Sequence, residues 1–207
     1  MTGSITVLAE DIVEVAVDGA KEAQALANHL RKTDVFTEVV PALGTVAVMF
    51  SPSRLSIADV ESIISDAQKR PRISDPALAT EINIPVVYGG EAGPDLDAVA
   101  RSLALSPQDV IRTHTAQAFT VDMVGFTPGF AYLSGLSWSV PRLPTPRASV
   151  VAGSVGLAGG RAGVYSLKGP GGWPIIGRTS ASLFDPANDP PFVLAPGSLV
   201  RFQSVDA

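Results

Sequence analysis

VVAGSVGLAGGRAGVYSLKGPGGWPIIGRT, Val150 to Thr179, alternates short apolar groups with glycine and proline and never sustains a helical stripe. Val150-Val151, Val155-Gly156-Leu157, Gly163-Val164-Tyr165 and Ile175-Ile176-Gly177 are too short for helices and rich in β-branched residues. Short apolar runs divided by turn formers are the pattern of a compact β-barrel or sandwich. The same pattern reaches outward to Phe119–Val124 on one side and to Val193-Leu194 and Leu199–Phe202 on the other.

Further upstream the periodicity changes. A Gly-Gly-Glu-Ala-Gly loop leads to Pro94, which suits a first helical turn, and Leu96, Val99, Ala100 and Leu103 follow at helical spacing. Ser106-Pro107-Gln108-Asp109 repeats the start signal for a shorter helix through Ile111. The first eighty-odd residues read as regular αβ structure. Ile12–Val17 is a strand, Lys21–Lys32 a helix with Ala23, Leu26, Ala27 and Leu30 on one face, and Val35–Val40 and Thr45–Phe50 two strands joined through Pro41-Ala42-Leu43-Gly44. Ser56 with Asp59 forms a capping box ahead of the stripe Ile57, Val60, Ile63, Ile64 and Ala67, and Glu81–Val87 is a further strand. The order β-α-β-β-α-β is that of a ferredoxin-like domain. The reading is α+β: a ferredoxin-like α/β domain over residues 1–84, then a β-barrel domain over residues 85–207.

Composition bounds the function. The chain has 207 residues, 46% hydrophobic and 17% charged, with no cysteine. That excludes disulfides, a thiolate nucleophile and a zinc site with sulfur ligands. The N-terminus lacks a basic stretch ahead of an apolar core, and the near-apolar run Val39–Phe50 is too short to span a bilayer. A cytoplasmic protein without membrane contact is expected. The net charge of −5 argues against nucleic acid as a partner, because phosphate binding is dominated by cation contacts.

Most catalytic constellations are missing. His29 and His114 are the only histidines, and His29 sits on the polar side of its helix; a His-rich metal site is excluded, and no metal is expected. Gly153-Ser154-Val155-Gly156 lacks the first glycine of a nucleophile elbow, since Ala152 stands there. There is no P-loop, and Gly169-Pro170-Gly171-Gly172-Trp173-Pro174 is not a dinucleotide fingerprint, so no cofactor is held by a recognisable motif.

The charge distribution is more informative. Residues 1–84 carry twelve acidic and seven basic side chains, whereas residues 85–207 carry eight of each. No carboxylate lies between Asp122 and Asp185, an interval that holds Arg142, Arg147, Arg161, Lys168 and Arg178. If these line a pocket, it has cations and hydroxyls without a local acid or base, and a proton carrier must come from His114, Asp122, a neighbouring element or another protein. Such a pocket suits holding a small carboxylate, because the guanidinium fork matches it; scattered surface charges would give the same composition.

GFTPGFAYL, Gly125 to Leu133, places three aromatic residues and a Pro-Gly turn in an uncharged run. Pro128 and Gly129 suit the two central positions of a type II turn, and Thr127 is pushed to an extended conformation by the proline after it. The bend throws Phe126 and Phe130 to either side, as an interface or pocket loop (Phe126, Thr127, Pro128, Gly129, Phe130) or as a core plug.

These segments together resemble a known family. GFTPGFAYL, PRLPTPR (Pro141–Arg147), the stretch Val150–Thr179, LFDP (Leu183–Pro186), PGSLVRF (Pro196–Phe202) and the upstream IPVVYGGEAGPDLDAVA (Ile84–Ala100) look like the family of the kinase inhibitor KipI, allophanate hydrolase subunit 1 and the 5-oxoprolinase B subunit. The family's usual VPAGSV, GGQTG and SPGGW read here VVAGSV, GGRAG and GPGGW. The resemblance implies that the barrel is cyclophilin-like. It implies a partner, the homologue of allophanate hydrolase subunit 2 or of the 5-oxoprolinase C subunit, and, as a third component, a homologue of the 5-oxoprolinase A subunit. It also implies an ATP-dependent amidohydrolase complex, converting 5-oxo-L-proline to L-glutamate or acting on allophanate, with ATP used by the complex and this subunit inactive alone. Both candidate substrates are carboxylates. A KipI-like inhibitor of a sensor histidine kinase is the alternative.

On that reading Arg147 and Arg178 clamp a carboxylate, with Arg161 and Thr179 at the same wall. Gly153 and Ser154 donate hydrogen bonds from a glycine-rich turn, Tyr132 and Ser154 belong to the catalytic group, and His114 is the group that titrates.

Overall fold

The computed structural model describes residues 3–69 and 81–206. The chain divides into two compact units, Met1–Ala77 and Leu78–Ala207. Among the described residues no helix is long and apolar enough to cross a membrane.

The first unit runs β1 (Ile5–Ala9), β2 (Ile12–Ala16), α1 (Ala20–Arg31), β3 (Glu38–Pro41), β4 (Thr45–Met49) and α2 (Ile57–Lys69). Its sheet has the order β1-β2-β4-β3, with every neighbouring pair antiparallel. Alternation along β2 and β4 sends Val13, Val15, Val46 and Val48 to one face, where they are fully buried. The stripe Ala23, Leu26, Ala27 and Leu30 of α1 and the positions Val60, Ile64 and Ala67 of α2 join them in one core. The expected capping box opens α2: the Ser56 N–H and Oγ donate to the Asp59 carboxylate at 2.9 and 2.6 Å, and the Asp59 N–H donates back to Ser56 Oγ.

The expected β-α-β-β-α-β order is corrected here. The outer partner of β2 is the N-terminal strand β1, which pairs Ile5 with Val15 across a tight turn at Glu10-Asp11. The strand expected to complete this domain, β5 (Glu81–Tyr88), lies in the second unit. A domain limit at residue 84 would cut β5 in two.

The second unit contains a closed barrel of seven strands. After β5 come α3 (Leu96–Ser102), α4 (Pro107–Ala116), β6 (Phe119–Val124), β7 (Ala131–Ser134), β8 (Arg147–Val150), β9 (Ser154–Ala158), β10 (Arg161–Val164), β11 (Gly169–Gly171), β12 (Ile175–Arg178) and β13 (Leu199–Ser204). The barrel order is β10-β7-β6-β13-β5-β12-β9, closed by β9 on β10; β8 and β11 form a separate two-stranded ribbon. Among the described residues only β5 and β13 run parallel, over six consecutive pairs from Leu199 with Glu81 to Ser204 with Val86. Closure leaves no unpaired barrel edge. Val86, Phe119, Val121, Leu133, Val155, Leu157, Val164, Ile176 and Phe202 fill the interior. Val193-Leu194, expected as a strand, forms none; the adjacent Phe192 makes an isolated bridge to Phe184.

Helix α4 continues to Ala116 rather than stopping at Ile111. Val110 and His114, one turn apart, are both buried, so the hidden face runs on past the polar-looking Arg112 and Thr113.

Candidate functional site

Alternation along the barrel strands sorts the residues singled out by sequence. On β9, Val155 and Leu157 enter the barrel core, so Ser154, Gly156 and Ala158 face outward. Pairing extends that outer face. Tyr132 on β7 opposes Gly163 on β10, which opposes Gly156 on β9, and Ser154 opposes Arg178 on β12.

Aromatic rings cover this face. Phe130, Tyr165, Trp173, Ile175 and Val150 form a second core outside the barrel, with Tyr132 partly buried at its margin. Phe130 meets Tyr132, Tyr165 and Trp173 edge-on, with ring centroids 5.0, 5.1 and 5.6 Å apart. The rings can lie against the strands because Gly156 and Gly163 carry no side chain. A Cβ on Gly163 would stand 2.8 Å from Phe130 Cζ and 3.1 Å from Trp173 Cζ3, and one on Gly156 would stand 3.0 Å from Trp173 Cβ. These glycines serve aromatic packing, not the ligand pocket that the glycine-rich sequence suggests.

The loop Gly125–Phe130 is a turn of the expected kind. The Phe130 N–H donates to the Thr127 carbonyl at 3.1 Å and Gly129 has φ +77°, the left-handed value that the third turn position demands. The bend does not throw the two phenylalanines apart: their rings meet edge-on at 5.6 Å, with Phe130 buried and Phe126 60% exposed at φ +74°. Ser166 Oγ donates to the Pro128 carbonyl at 2.5 Å, and Thr127 Oγ1 is buried without a partner among the described residues.

Gly153, Ser154, Arg178 and Thr179 come together at one end of the β9–β12 pair. Their backbone donors are committed internally, which corrects the expected donor turn. The Gly153 N–H donates to the Tyr165 carbonyl, the Ser154 N–H to the Val151 carbonyl and the Thr179 N–H to the Gly153 carbonyl, at 2.6, 3.2 and 2.9 Å. Thr179 Oγ1 accepts from the Ala181 N–H at 3.0 Å. The buried Ser154 side chain and the exposed Arg178 guanidinium share this end, and the Arg178 stem lies over Gly153. Among the described residues no hydrogen bond or ion pair engages the Arg178 guanidinium.

The expected two-arginine clamp does not form. Both terminal nitrogens of Arg147 donate to Asp95, Nη1 to Oδ2 and Nη2 to Oδ1, each at 2.8 Å. The Ile175 N–H donates to the same carboxylate at 2.6 Å. Hydrogen bonding to Asp95 holds the guanidinium pKa above its ordinary value. Arg147 thus fastens the β8–β11 ribbon to the start of α3 instead of waiting for a ligand. Arg161 pairs with Asp122 at 3.4 Å, and Ser134 Oγ donates to the other oxygen of that carboxylate at 2.7 Å. It opposes Ala158, four residues along β9 from Ser154, or about 13 Å at the rise of a strand. Arg161 and Arg178 therefore stand at opposite ends of the face. Two cations of the interval, Arg147 and Arg161, are thus answered by carboxylates from outside it, Asp95 and Asp122.

His114 is also corrected. It is fully buried between α4 and the barrel, stacked on Phe202 at 4.4 Å and against Phe119 at 5.0 Å. Its Nδ1 shares a hydrogen bond of 2.7 Å with the Tyr88 hydroxyl, and Nε2 has no partner among the described residues. Burial lowers its pKa to about 3, and burial raises that of Tyr88. The imidazole is neutral at pH 7 and packed among the inner aromatics, apart from the outer face that carries Ser154 and Arg178. Asp95, absent from the sequence-based candidates, has no local signal beyond its place before the α3 stripe.

The outer barrel face thus sets a cation and a hydroxyl on paired strands, with an aromatic wall further along the same face. The sequence family described as "Carboxyltransferase domain, subdomain C and D" matches residues 2–194. The B subunit of 5-oxoprolinase from Escherichia coli O157:H7 is 39% identical over 208 residues, covering 98% of this chain and 93% of that protein. The protein of the same name from Bacillus subtilis is 41% identical over 182 residues, covering 81% and 75%. The chain belongs to the family of allophanate hydrolase subunit 1 and the 5-oxoprolinase B subunit.

Solved structures agree on the fold. TTHA0988 superimposes with a TM-score of 0.81 at 32% identity, over 95% of this chain and 40% of that one, so this chain spans about two fifths of TTHA0988. The urea amidolyase of K. lactis gives a TM-score of 0.80 at 16% identity, over 98% of this chain and 15% of that one, a likeness of fold alone.

Proposed function

We propose that this chain is the B-type subunit of an ATP-dependent 5-oxoprolinase complex, contributing a carboxylate-binding face to a reaction completed by other subunits. The observation that carries this is the near end-to-end match to the 5-oxoprolinase B subunit of E. coli, 39% identical over 98% of this chain and 93% of its relative. The reaction adds water across the lactam C–N bond of 5-oxo-L-proline. The carbonyl carbon gains hydroxyl and becomes a carboxyl, the nitrogen gains hydrogen and L-glutamate leaves, coupled to hydrolysis of ATP to ADP and phosphate.

The geometry supports a division of labour. Arg178 takes the substrate carboxylate, Ser154 is its partner in register on β9, and the partly buried Tyr132 lies further across the same outer face. Acid–base chemistry needs a group that titrates near the working pH. His114, buried and neutral, cannot be that group. We assign the proton transfers and the nucleotide to two companions, a homologue of the 5-oxoprolinase C subunit with a cyclophilin-like barrel of its own and a homologue of the A subunit. The chain then works in the cytoplasm, where ATP is supplied, and does not turn over substrate alone.

The test is omission. L-glutamate and ADP formation from 5-oxo-L-proline and ATP is followed with the companion subunits, with and without this chain. Loss of glutamate on leaving it out supports the proposal. An undiminished rate without it would overturn it.

A further inference from the structure

Several large hydrophobic side chains left exposed in the second unit gather at the end of the barrel that carries the β6–β7 turn. Phe126 is 60% exposed, Leu167 38%, Phe192 41% and Val193 47%. They sit on three segments that contact one another. Ser166, next to Leu167, donates its hydroxyl hydrogen to the Pro128 carbonyl. Gly129 lies against Phe184 so closely that a Cβ there would stand 2.6 Å from Phe184 Cβ. Phe184 in turn stacks on Phe192 at 5.3 Å, and the Val193 N–H donates to the Leu183 carbonyl.

Phe126 is the most telling member. Its φ of +74° is a backbone conformation that glycine adopts freely and a bulky residue does not. The backbone favours glycine at this position, and the ring meets the core only through one edge-on contact with Phe130 at 5.6 Å, leaving most of the residue in solvent. A strained, exposed aromatic on a rigid turn is the profile of an interface anchor, since aromatic side chains centre most binding hot spots.

We propose that this patch, centred on Phe126 with Leu167, Phe192 and Val193, is the docking surface for one companion polypeptide, the equivalent of the part of TTHA0988 that lies outside the match. This inference rests on the subunit reading given above. The size relation of the relatives points to that occupant. The fold seen here fills only 40% of the TTHA0988 chain, whereas it fills 93% of the E. coli protein, whose name calls it a subunit. On the subunit reading, the short-chain proteins meet through a surface what TTHA0988 carries in the same polypeptide. A contact that replaces a covalent link is a permanent one, and permanent interfaces are the apolar ones. Contiguous apolar patches on a protein surface mark such sites.

The experiment measures the affinity of the full chain for the polypeptide from the same genome that matches the rest of TTHA0988. Phe126→Gly and Phe192→Ser are compared with Leu8→Ser, a control 56% exposed on β1 of the other unit. Phe126→Gly should leave Tm near wild type, because relief of the left-handed backbone offsets the lost edge contact with Phe130, yet weaken the complex roughly thirty-fold, the loss expected of a hot-spot residue. Phe192→Ser should weaken it as well, and Leu8→Ser should bind like wild type. If wild type binds and Phe126→Gly binds equally well, the surface assignment fails while the subunit reading stands. If wild type does not bind at all, both fail. A variant that dissolves a dimer of this chain and leaves the heteromer unchanged would assign the patch to a second copy and overturn the proposal.

Discussion

Arg147 and Asp95, 52 residues apart in sequence, meet through two parallel hydrogen bonds of 2.8 Å. The carboxylate also receives the Ile175 N–H, so one side chain ties together the ribbon strand β8, the start of α3 and the barrel strand β12. The pair converts what reads as a ligand-binding arginine into a structural fastener.

Arg147→Ala should therefore lower stability by about 1–2 kcal/mol, leaving a mostly buried carboxylate with a single partner. Asp95→Ala should cost a similar amount, and the double variant little more than either. Chemical denaturation of all four proteins gives the coupling. Additive losses would show that the two residues act independently.

Arg178 should behave in the opposite way. Arg178→Ala leaves Tm within error of wild type, since its guanidinium is exposed, but raises KM for 5-oxo-L-proline in the assembled complex about ten- to a hundred-fold. Arg161→Ala should leave KM unchanged, because that cation stands opposite the far end of β9 and is paired with Asp122 of β6. Equal KM effects from the two would contradict the placement.

The glycine-backed aromatic wall predicts a sharp contrast between two substitutions. Gly163→Ala drives a methyl group into Phe130 and Trp173 and should cost about 1–3 kcal/mol, with a shift in tryptophan emission. Gly169→Ala meets nothing within 4 Å and should change stability by less than about 0.5 kcal/mol.

His114 makes the pH dependence specific. Its pKa falls from 6.5 to about 3 on folding because burial disfavours the imidazolium. Between those values the unfolded chain binds the proton and the folded chain does not. Its contribution is therefore fully present above pH 6.5 and is lost as pH falls toward 3, with a slope of up to about 1.4 kcal/mol per pH unit. Wild type should lose stability relative to His114→Phe by that slope on acidification below pH 6.5. The His114 imidazole resonances should stay flat from pH 5 to 8; a midpoint near 6.5 would remove the buried assignment.

Local patterns carry most of the fold. The stripe Ala23, Leu26, Ala27 and Leu30 is the buried face of α1, and Ser56 with Asp59 opens α2, because capping and helical spacing are short-range effects. The short runs around Gly156, Val164 and Ile176 are barrel strands for the same reason. What local pattern does not hold is partner choice over distance. Glu81–Tyr88 has the same alternation whether it completes the first sheet or opens the barrel, and only its parallel pairing with β13 decides. Strand β1 does have a local signal, since Ile5–Ala9 and Ile12–Ala16 flank Glu10-Asp11 as a hairpin would, but its apolar run is short and its face exposed.

The candidate residues can be picked from the sequence, but their neighbours cannot. Tyr132, Ser154 and Arg178 do share one outer face, yet Arg147 is claimed by an aspartate outside the cation-rich interval, and Gly156 and Gly163 by rings. Both departures have one source: a cation or a glycine reveals what it permits, and its neighbours decide which permission is used. His114 stands out in sequence only by elimination, and elimination does not see burial.

The measurement that bears most directly on the central claim is L-glutamate formation from 5-oxo-L-proline and ATP by the purified chain by itself, set beside the assembled complex. The account predicts no glutamate above the buffer control for the chain alone and ATP-dependent glutamate from the complex. Sustained turnover by the isolated chain would contradict it, because the proton transfers assigned to the companion subunits would then belong to this chain.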